Sequence, residues 1–136
     1  MAMAGYSGTP LAKKLGLAEG VRVVTFNEPA HYSELLRPLP TSVRFDAEVS
    51  PATDLVHAFC VRKAELEAHL QTWRPRIRPD TIVWISWPKK ASKLPTDITE
   101  DTVRAVALPL GFVDVKVCAV DEVWSGLKLV IRKALR

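Results

Sequence analysis

The stretch from Thr81 to Trp87, TIVWISW, constrains the fold of this chain more than any other. A short apolar run that is rich in β-branched and aromatic residues is typical of a buried strand. A polar, lysine-rich loop follows it and extends to Asp97. Open α/β sheets bind ligands beyond the carboxyl ends of their strands, so this strand and its loop are where the sequence favours a functional site.

Other short apolar segments predict further strands on either side of this one. Residues 21–26, 43–45 and 54–61 have the composition of strands and are ended by turns or polar residues. Residues 112–120 and 127–132 are also strand-like. The six residues between them are too few for a crossover helix, so this pair is expected to form an antiparallel hairpin.

Helical patterns separate the strands. Thr9 is expected to cap a first short helix, and Pro75 is expected to end a helix that begins at Lys63. Asp97 is expected to cap the last helix, with Glu100 at the return position of a capping box.

This alternation predicts a three-layer Rossmann-like α/β domain, with a mainly parallel sheet and a C-terminal antiparallel hairpin. Residues 1–8 are expected to be a flexible lead-in to a single domain at 9–136. Only about eight residues join the strands at 43–45 and 54–61, which is too short for a helical crossover. Either an extended segment recrosses the sheet there, or the strand at 43–45 is not a regular parallel strand.

Composition narrows the class of protein. The 136 residues are 48% hydrophobic, which suffices for a core without disulfide or metal staples. The net charge of +4 permits an anionic partner, but the arginines at 74–78 and the lysines at 13–14 match no nucleic-acid-binding motif, so nucleic acid is not favoured as a partner. Cys60 and Cys118 are expected to be reduced thiols. Neither a signal peptide nor a membrane span is predicted, which favours a cytoplasmic protein.

Three local patterns in residues 54–133 resemble parts of one known fold family. Asp54-Leu55-Val56 resembles the start of that family's fourth strand, and Ile77-Arg78-Pro79-Asp80-Thr81 resembles its leucine–basic–proline–glycine–glycine turn with the glycines replaced. Gly111-Phe112, followed by a long hairpin, is similar to its last two strands. The family is that of the class I S-adenosylmethionine-dependent methyltransferases, and the resemblance implies a shortened methyltransferase-like topology.

The turn after the first strand departs from that family. In such folds this turn is glycine-rich, because the backbone approaches the ligand closely and presents N–H groups to it. Here it reads Asn27-Glu28-Pro29-Ala30-His31, which lacks glycine, adds a negative charge and loses one N–H at the proline. Asp46 or Glu48, after the second strand, could hold ribose hydroxyls. Without the glycine turn, however, no bound cofactor is expected.

Four longer motifs together span nearly the whole chain: YSGTPLAKKLG, WISWPKKAS, PTDITED and VKVCAVDEVWSGLK. They resemble a family of small bacterial proteins known only as a domain of unknown function. This resemblance implies a bacterial cytoplasmic protein, and it implies no activity.

The loop that contains Lys89, Lys90, Ser92 and Lys93 is the candidate ligand-binding segment. Three ammonium groups and a hydroxyl near a helix entrance could hold a phosphate or a carboxylate. The alternative is a solvated basic loop, because no glycine cradle is present and Asp97 would compete for the same helix N-terminus.

Two tryptophans, Trp87 and Trp124, flank polar segments at a strand end and in the hairpin joint. They could form an aromatic wall for a ring-shaped ligand, or they could serve only as core or rim packing. Both tryptophans are therefore candidate ligand-binding residues, together with those of the lysine-rich loop.

No catalytic residue and no metal site are predicted. His31, His57 and His69 have no metal-ligand spacing among themselves or with the cysteines. His57 lies in a strand and is expected to be a hydrogen-bonded core histidine. Cys118 precedes the acidic pair at 121–122, and neighbouring acids disfavour a thiolate.

Three hypotheses for function remain open. The first is a non-catalytic, methyltransferase-like binding or regulatory protein. The second is a sensor or enzyme that binds a small anionic nucleotide or acid at the Lys89–Asp97 loop. The third is a protein-interaction module that pairs through an exposed edge strand or hairpin.

Overall fold

The computed structural model describes residues 9–136, so the predicted lead-in at 1–8 lies outside the described residues. The strands are β1 (Arg22–Phe26), β2 (Arg44–Phe45), β3 (Leu55–Phe59), β4 (Ile82–Pro88), β5 (Phe112–Ala119) and β6 (Trp124–Ile131). They form one sheet in the order β2-β1-β3-β4-β6-β5. The neighbouring pairs among β1 to β4 are parallel, and β6 runs antiparallel to both β4 and β5. This confirms the mainly parallel α/β sheet with an antiparallel C-terminal pair.

Helices cover both faces of this sheet. The α-helices are α1 (Leu11–Leu15), α2 (Tyr32–Leu35), α3 (Lys63–Trp73) and α4 (Glu100–Ala107), and single 3₁₀ turns form at Lys90–Ser92, Leu108–Leu110 and Lys133–Leu135. The α3 and α4 helices pack on one face, and α1 and α2 pack on the other. The N-cap residue of α1 is Pro10 rather than the predicted Thr9. Across the described part of the chain, no helix has the length and apolarity needed to cross a membrane.

The short connection between β2 and β3 follows the first of the two alternatives. The β2 strand is a regular parallel neighbour of β1 over two residue pairs, although it is only two residues long. Residues 46–54 then pass over β1 without forming a helix. Val49 anchors the crossing, because it is buried with Val24 and Val56 in the core on the α3 side. One buried apolar side chain thus takes the place of a crossover helix.

Side chains of β4 point alternately to the two faces of the sheet, so this strand contributes to the hydrophobic core on each face. Val83, Ile85 and Trp87 point into the core beneath α3 and α4, and Trp84 points into the core beneath α1 and α2. Trp84 is fully buried, and its indole Nε1 donates a hydrogen bond to the carbonyl oxygen of Leu15 at 2.8 Å. The central strand therefore fixes α1 to the sheet as well as filling the core.

The predicted cap of α4 is wrong, and the residue concerned has another role. Thr99 is the N-cap residue, and its hydroxyl and that of Thr102 form the capping box that was expected from Asp97 and Glu100. Asp97 lies two residues before this cap, and its Oδ1 instead accepts a hydrogen bond at 2.6 Å from the backbone N–H of Lys63. It therefore caps α3 from a distant loop, satisfying a donor that α3 cannot satisfy itself.

Candidate functional site

The carboxyl ends of β1 and β3 lie side by side where the strand order reverses. The chain passes from β1 outward to β2, and then from β3 outward to β4 in the opposite direction. Such a reversal opens a crevice that binds ligands in other α/β sheets. We call this region the switch-point crevice and define it by five residues that meet there: Phe26, Asn27, Cys60, Glu65 and His69.

A side-chain hydrogen bond spans the crevice. Asn27 ends β1 with φ +55, a left-handed conformation that asparagine tolerates better than most residues. Its Nδ2 donates to Oε2 of Glu65 on α3 at 3.0 Å. Behind it, the Thr25 hydroxyl donates to Oε2 of Glu28 at 2.8 Å. The turn that is glycine-rich in cofactor-binding sheets of this kind is therefore held here by side chains.

Aromatic rings pack beside that hydrogen bond. The Phe26 ring lies 4.3 Å from the His69 ring, measured between centroids. The His69 ring in turn stacks on Trp73 at 4.7 Å with an interplanar angle of 1°. Phe26 is 39% exposed, so its ring forms the outer layer of this stack. Together with Asn27, these rings occupy the space between the end of β1 and helix α3.

A thiol, a carboxylate and an imidazole meet at the floor of the crevice. Cys60 follows β3 and is fully buried, and its backbone N–H donates to the carbonyl oxygen of Ser86 at 2.8 Å. Burial, reinforced by the negative charge of Glu65, raises the pKa of the Cys60 thiol to about 12. Burial lowers the pKa of His69, while Glu65 acts in the opposite direction. At neutral pH the cluster therefore holds a protonated thiol beside a neutral imidazole.

The lysine loop lies at the carboxyl end of β4, and half of its candidate residues have structural roles. The Lys89 ammonium donates to the carbonyl oxygen of Asp121 at 2.7 Å, and the backbone N–H of Lys89 donates to the carbonyl oxygen of Val123. The Ser92 hydroxyl donates to the Lys89 carbonyl oxygen at 2.6 Å. Lys90 and Lys93 are exposed. Two ammonium groups of the predicted set therefore remain directed at solvent.

The two candidate tryptophans lie on opposite faces of the sheet. Trp87 is 6% exposed and belongs to the core beneath α3 and α4. Trp124 packs edge-on against Phe59, with ring centroids 5.1 Å apart, in the core beneath α1 and α2. Although β4 and β6 are adjacent, the structure does not bring these rings together into one wall.

Three buried polar side chains are linked by hydrogen bonds, and the sequence predicted only the central one, His57. His57 is fully buried, and its Nδ1 and Nε2 lie 2.8 Å from the Tyr32 hydroxyl and 2.7 Å from the Ser86 hydroxyl. This confirms the hydrogen-bonded core histidine. Burial lowers the pKa of His57 to about 3, and burial together with Glu28 raises the pKa of Tyr32. The partners come from α2 and β4, so the pattern within β3 could not reveal them.

A separate cleft of about 290 Å³ lies at the amino-terminal edge of the sheet. Asp54, Arg78 and Asp80 line it together with the turn at 19–21. The Arg78 guanidinium donates to Asp54 at 2.7 Å and to Asp80 at 2.9 Å, so its charge is already paired. The cleft contains none of the residues that the sequence singled out for ligand binding.

Comparison with known proteins gives a fold and no closer assignment. No protein-family model matches the chain, and no curated protein is significantly similar to it. The resemblance to a bacterial family of unknown function therefore stays a prediction.

Solved structures that resemble the chain include S-adenosylmethionine-dependent methyltransferases. A Sulfolobus solfataricus protein assigned to the type 11 methyltransferases is 14% identical with a TM-score of 0.65, over 90% of both chains. A SAM-dependent methyltransferase from Aquifex aeolicus is 14% identical with a TM-score of 0.62, over 89% of this chain and 87% of the other. Fibrillarin from Aeropyrum pernix, which contains S-adenosyl-L-methionine, is 9% identical with a TM-score of 0.58, over 93% and 71%. The chain therefore has the Rossmann-like fold of the S-adenosylmethionine-dependent methyltransferases.

Proposed function

We propose that this protein is a methyltransferase-like binding or regulatory protein that does not transfer methyl groups from S-adenosylmethionine. The observation that supports this most is the hydrogen bond between Asn27 and Glu65 across the switch-point crevice. It lies where a cofactor would need the backbone of the first turn to be accessible.

The physical argument concerns the cost of opening the crevice. A cofactor that entered would have to separate Asn27 from Glu65 and displace the Phe26 ring from His69. The turn would also offer it one N–H fewer at Pro29, and Glu28 would place a carboxylate near a carboxylate-bearing ligand. Each change acts against binding, and no glycine in the turn allows closer backbone approach.

Two other functions have specific support. The exposed ammonium groups of Lys90 and Lys93 favour a small anionic nucleotide or acid as ligand, but the engaged Lys89 and Ser92 leave this loop with fewer free groups than the sequence suggested. Edge strand β5 exposes 51% of Val115 and 46% of Val117, which favours a protein partner.

We further propose that residues 9–136 act as one domain in the cytoplasm, in keeping with the sequence. Neither a membrane nor a nucleic acid is part of this proposal.

A thermal-shift and activity experiment tests the proposed function. Purified protein is melted with S-adenosylmethionine, S-adenosylhomocysteine, nucleotides and short acids, beside an active methyltransferase as the positive control. A ligand at a hundredfold its Kd adds about 2.7 kcal/mol to the free energy of unfolding, which raises Tm by several degrees. We expect no shift with either adenosyl compound and no transfer of labelled methyl groups to cell extract. Saturable methyl transfer would refute the proposal.

The same experiment separates the alternatives. A shift with phosphates alone, lost in the Lys89→Ala, Lys90→Ala, Lys93→Ala triple variant, would assign the ligand to the lysine loop. A shift that survives the triple variant would place the ligand elsewhere. A stoichiometric protein recovered in a pull-down and lost after Val115→Lys would instead favour the β5 edge.

A further inference from the structure

Three metal-binding side chains converge at the floor of the switch-point crevice. The Cys60 sulfur, a Glu65 carboxylate oxygen and a ring nitrogen of His69 all lie within 4.8 Å of one another. Glu65 and His69 are one turn apart on the same face of α3, and Cys60 is brought to them by the tight junction between β3 and α3. The fold thus creates a cluster that residue spacing alone does not show.

One ring nitrogen of His69 lacks a hydrogen-bond partner among the described residues. His69 Nε2 is a buried side-chain atom with no donor or acceptor within reach in the described part of the chain. A buried polar atom without a partner usually costs about 1–3 kcal/mol. The stack on Trp73 and the contact with Phe26 fix the plane of this ring. The structure therefore retains an oriented imidazole whose polar edge no protein group satisfies.

We propose that Cys60, Glu65 and His69 bind a single divalent transition-metal ion, with zinc as the ion that these ligands fit best. Thiolate and imidazole ligands select zinc over magnesium or calcium, which prefer oxygen ligands. With three protein ligands, the fourth position of a tetrahedral zinc ion remains for water or a small ligand.

The charges of such a site balance. Binding forms a metal–sulfur bond and breaks the S–H bond of Cys60, and the released proton goes to solvent. A doubly charged cation then meets one thiolate, one carboxylate and a neutral imidazole, so the site carries no net charge. A neutral complex is the arrangement that a buried position tolerates most readily.

Only modest movement is required. Ligand bonds of about 2.0–2.3 Å at tetrahedral angles place ligand atoms roughly 3.5 Å apart. The cluster, at up to 4.8 Å, has to contract by about an ångström, which rotation of the half-buried Glu65 side chain can supply. Asn27 already orients that carboxylate through its hydrogen bond to Oε2, as outer partners of metal ligands do elsewhere.

The test measures metal binding directly. Full-length protein is stripped with a chelator, and its zinc affinity is measured by competition with a chromophoric chelator. Cobalt is then added in place of zinc, because a cobalt–thiolate bond gives a sulfur-to-metal charge-transfer band. We expect one ion per chain, the charge-transfer band, and release of one proton on binding.

Matched variants decide which residues bind the ion. Cys60→Ser should abolish the band, while Cys118→Ser, which alters the other free cysteine, should keep it. Glu65→Gln should weaken zinc binding, while Glu67→Gln on the same helix should not. Asn27→Ala should weaken it by about 10–100-fold, as loss of an outer partner does.

Folding of each variant is checked by circular dichroism. If Cys60→Ser does not fold, the zinc affinities of Glu65→Gln and Asn27→Ala test the proposal, because neither Glu65 nor Asn27 is part of the buried core. A folded wild-type protein that binds no zinc would overturn the proposal, and so would an unchanged affinity in both Glu65→Gln and Asn27→Ala. Zinc binding goes beyond the proposed function and does not depend on it, because metal affinity and the charge-transfer band are measured without any methyl-transfer reaction.

Discussion

Protonation of His57 is expected to destabilise the folded protein as the pH falls. Its imidazole is fully buried between the Tyr32 and Ser86 hydroxyls, and burial lowers its pKa from 6.5 to about 3. Below pH 6.5 the unfolded chain takes up a proton that the folded chain does not. The contribution of His57 to stability is therefore fully present above about pH 6.5 and is lost progressively as the pH falls towards about 3.

The size of the effect follows from that window. Each pH unit within it changes the free energy of unfolding by about 1.4 kcal/mol. Moving from about pH 7.5 to about pH 5.0 crosses roughly 1.5 units of the window, so the expected loss from His57 is about 2 kcal/mol. Urea unfolding at the two pH values measures it. His57→Gln should be less stable at neutral pH, but should lose about 2 kcal/mol less than wild type on acidification.

Carboxylates also titrate in this range, so the quantity to compare is the loss in free energy of unfolding on acidification, in wild type and in His57→Gln. His69→Gln is a useful comparison, because burial also lowers the pKa of His69, but this side chain is only partly buried. It should remove less of the pH dependence than His57→Gln does. If wild type and His57→Gln lose the same free energy on acidification, His57 is not held neutral by burial and the reasoning is refuted.

Three further predictions concern residues that stabilise the fold. Asp97→Ala should lower the free energy of unfolding by about 1 kcal/mol, because the Lys63 N–H loses its acceptor, as urea unfolding can measure. Gly111→Ala should cost at least about 1–2 kcal/mol by the same assay, since its φ is +96 and an added Cβ would crowd the Arg74 guanidinium, whose Nε donates to the Leu110 carbonyl oxygen. Trp84→Phe should cost roughly 1–3 kcal/mol and speed amide exchange in α1, because it removes the hydrogen bond to a buried backbone carbonyl.

Each of these predictions has its own control. Asp97→Asn keeps an acceptor oxygen and should retain most of the stability, so equal losses in Asp97→Ala and Asp97→Asn would argue against capping of α3. Gly20→Ala also has positive φ but meets no atom within 4 Å, so it should cost less than Gly111→Ala. If exchange in α1 is unchanged in Trp84→Phe, the hydrogen bond from the indole does not anchor that helix.

Local patterns predicted most of the sheet, because they reflect interactions between near neighbours in sequence. The β-branched and aromatic composition of β4 identified the central strand, and the short joint before β6 identified the hairpin. The recrossing at 46–54 could be predicted only as one of two alternatives, because a segment without helix or strand leaves no periodic signal. Its buried anchor, Val49, depends on contacts with Val24 and Val56 from other strands.

Long-range pairing explains what local patterns could not predict. Asp97 resembles a cap for the helix that follows it, but its partner is Lys63, which lies 34 residues earlier. The faces occupied by Trp87 and Trp124 depend on strand register, which no single segment specifies.

The cluster of Cys60, Glu65 and His69 depends both on local spacing within a helix and on long-range contacts. The four-residue spacing of Glu65 and His69 places both side chains on one face of α3, but the approach of Cys60 to them depends on the junction between β3 and α3. Asn27 joins the cluster only because β1 and β3 are neighbours in the sheet.

Equilibrium dialysis against labelled S-adenosylmethionine is the most direct test of the central claim that the protein's own side chains occupy the cofactor crevice. It should use metal-free and zinc-treated protein in parallel, with an active methyltransferase as the positive control. We predict no saturable retention of the label by either form of the protein. One-to-one, saturable binding that is competed by S-adenosylhomocysteine would show that the bridge between Asn27 and Glu65 opens to admit the cofactor, and would contradict the account.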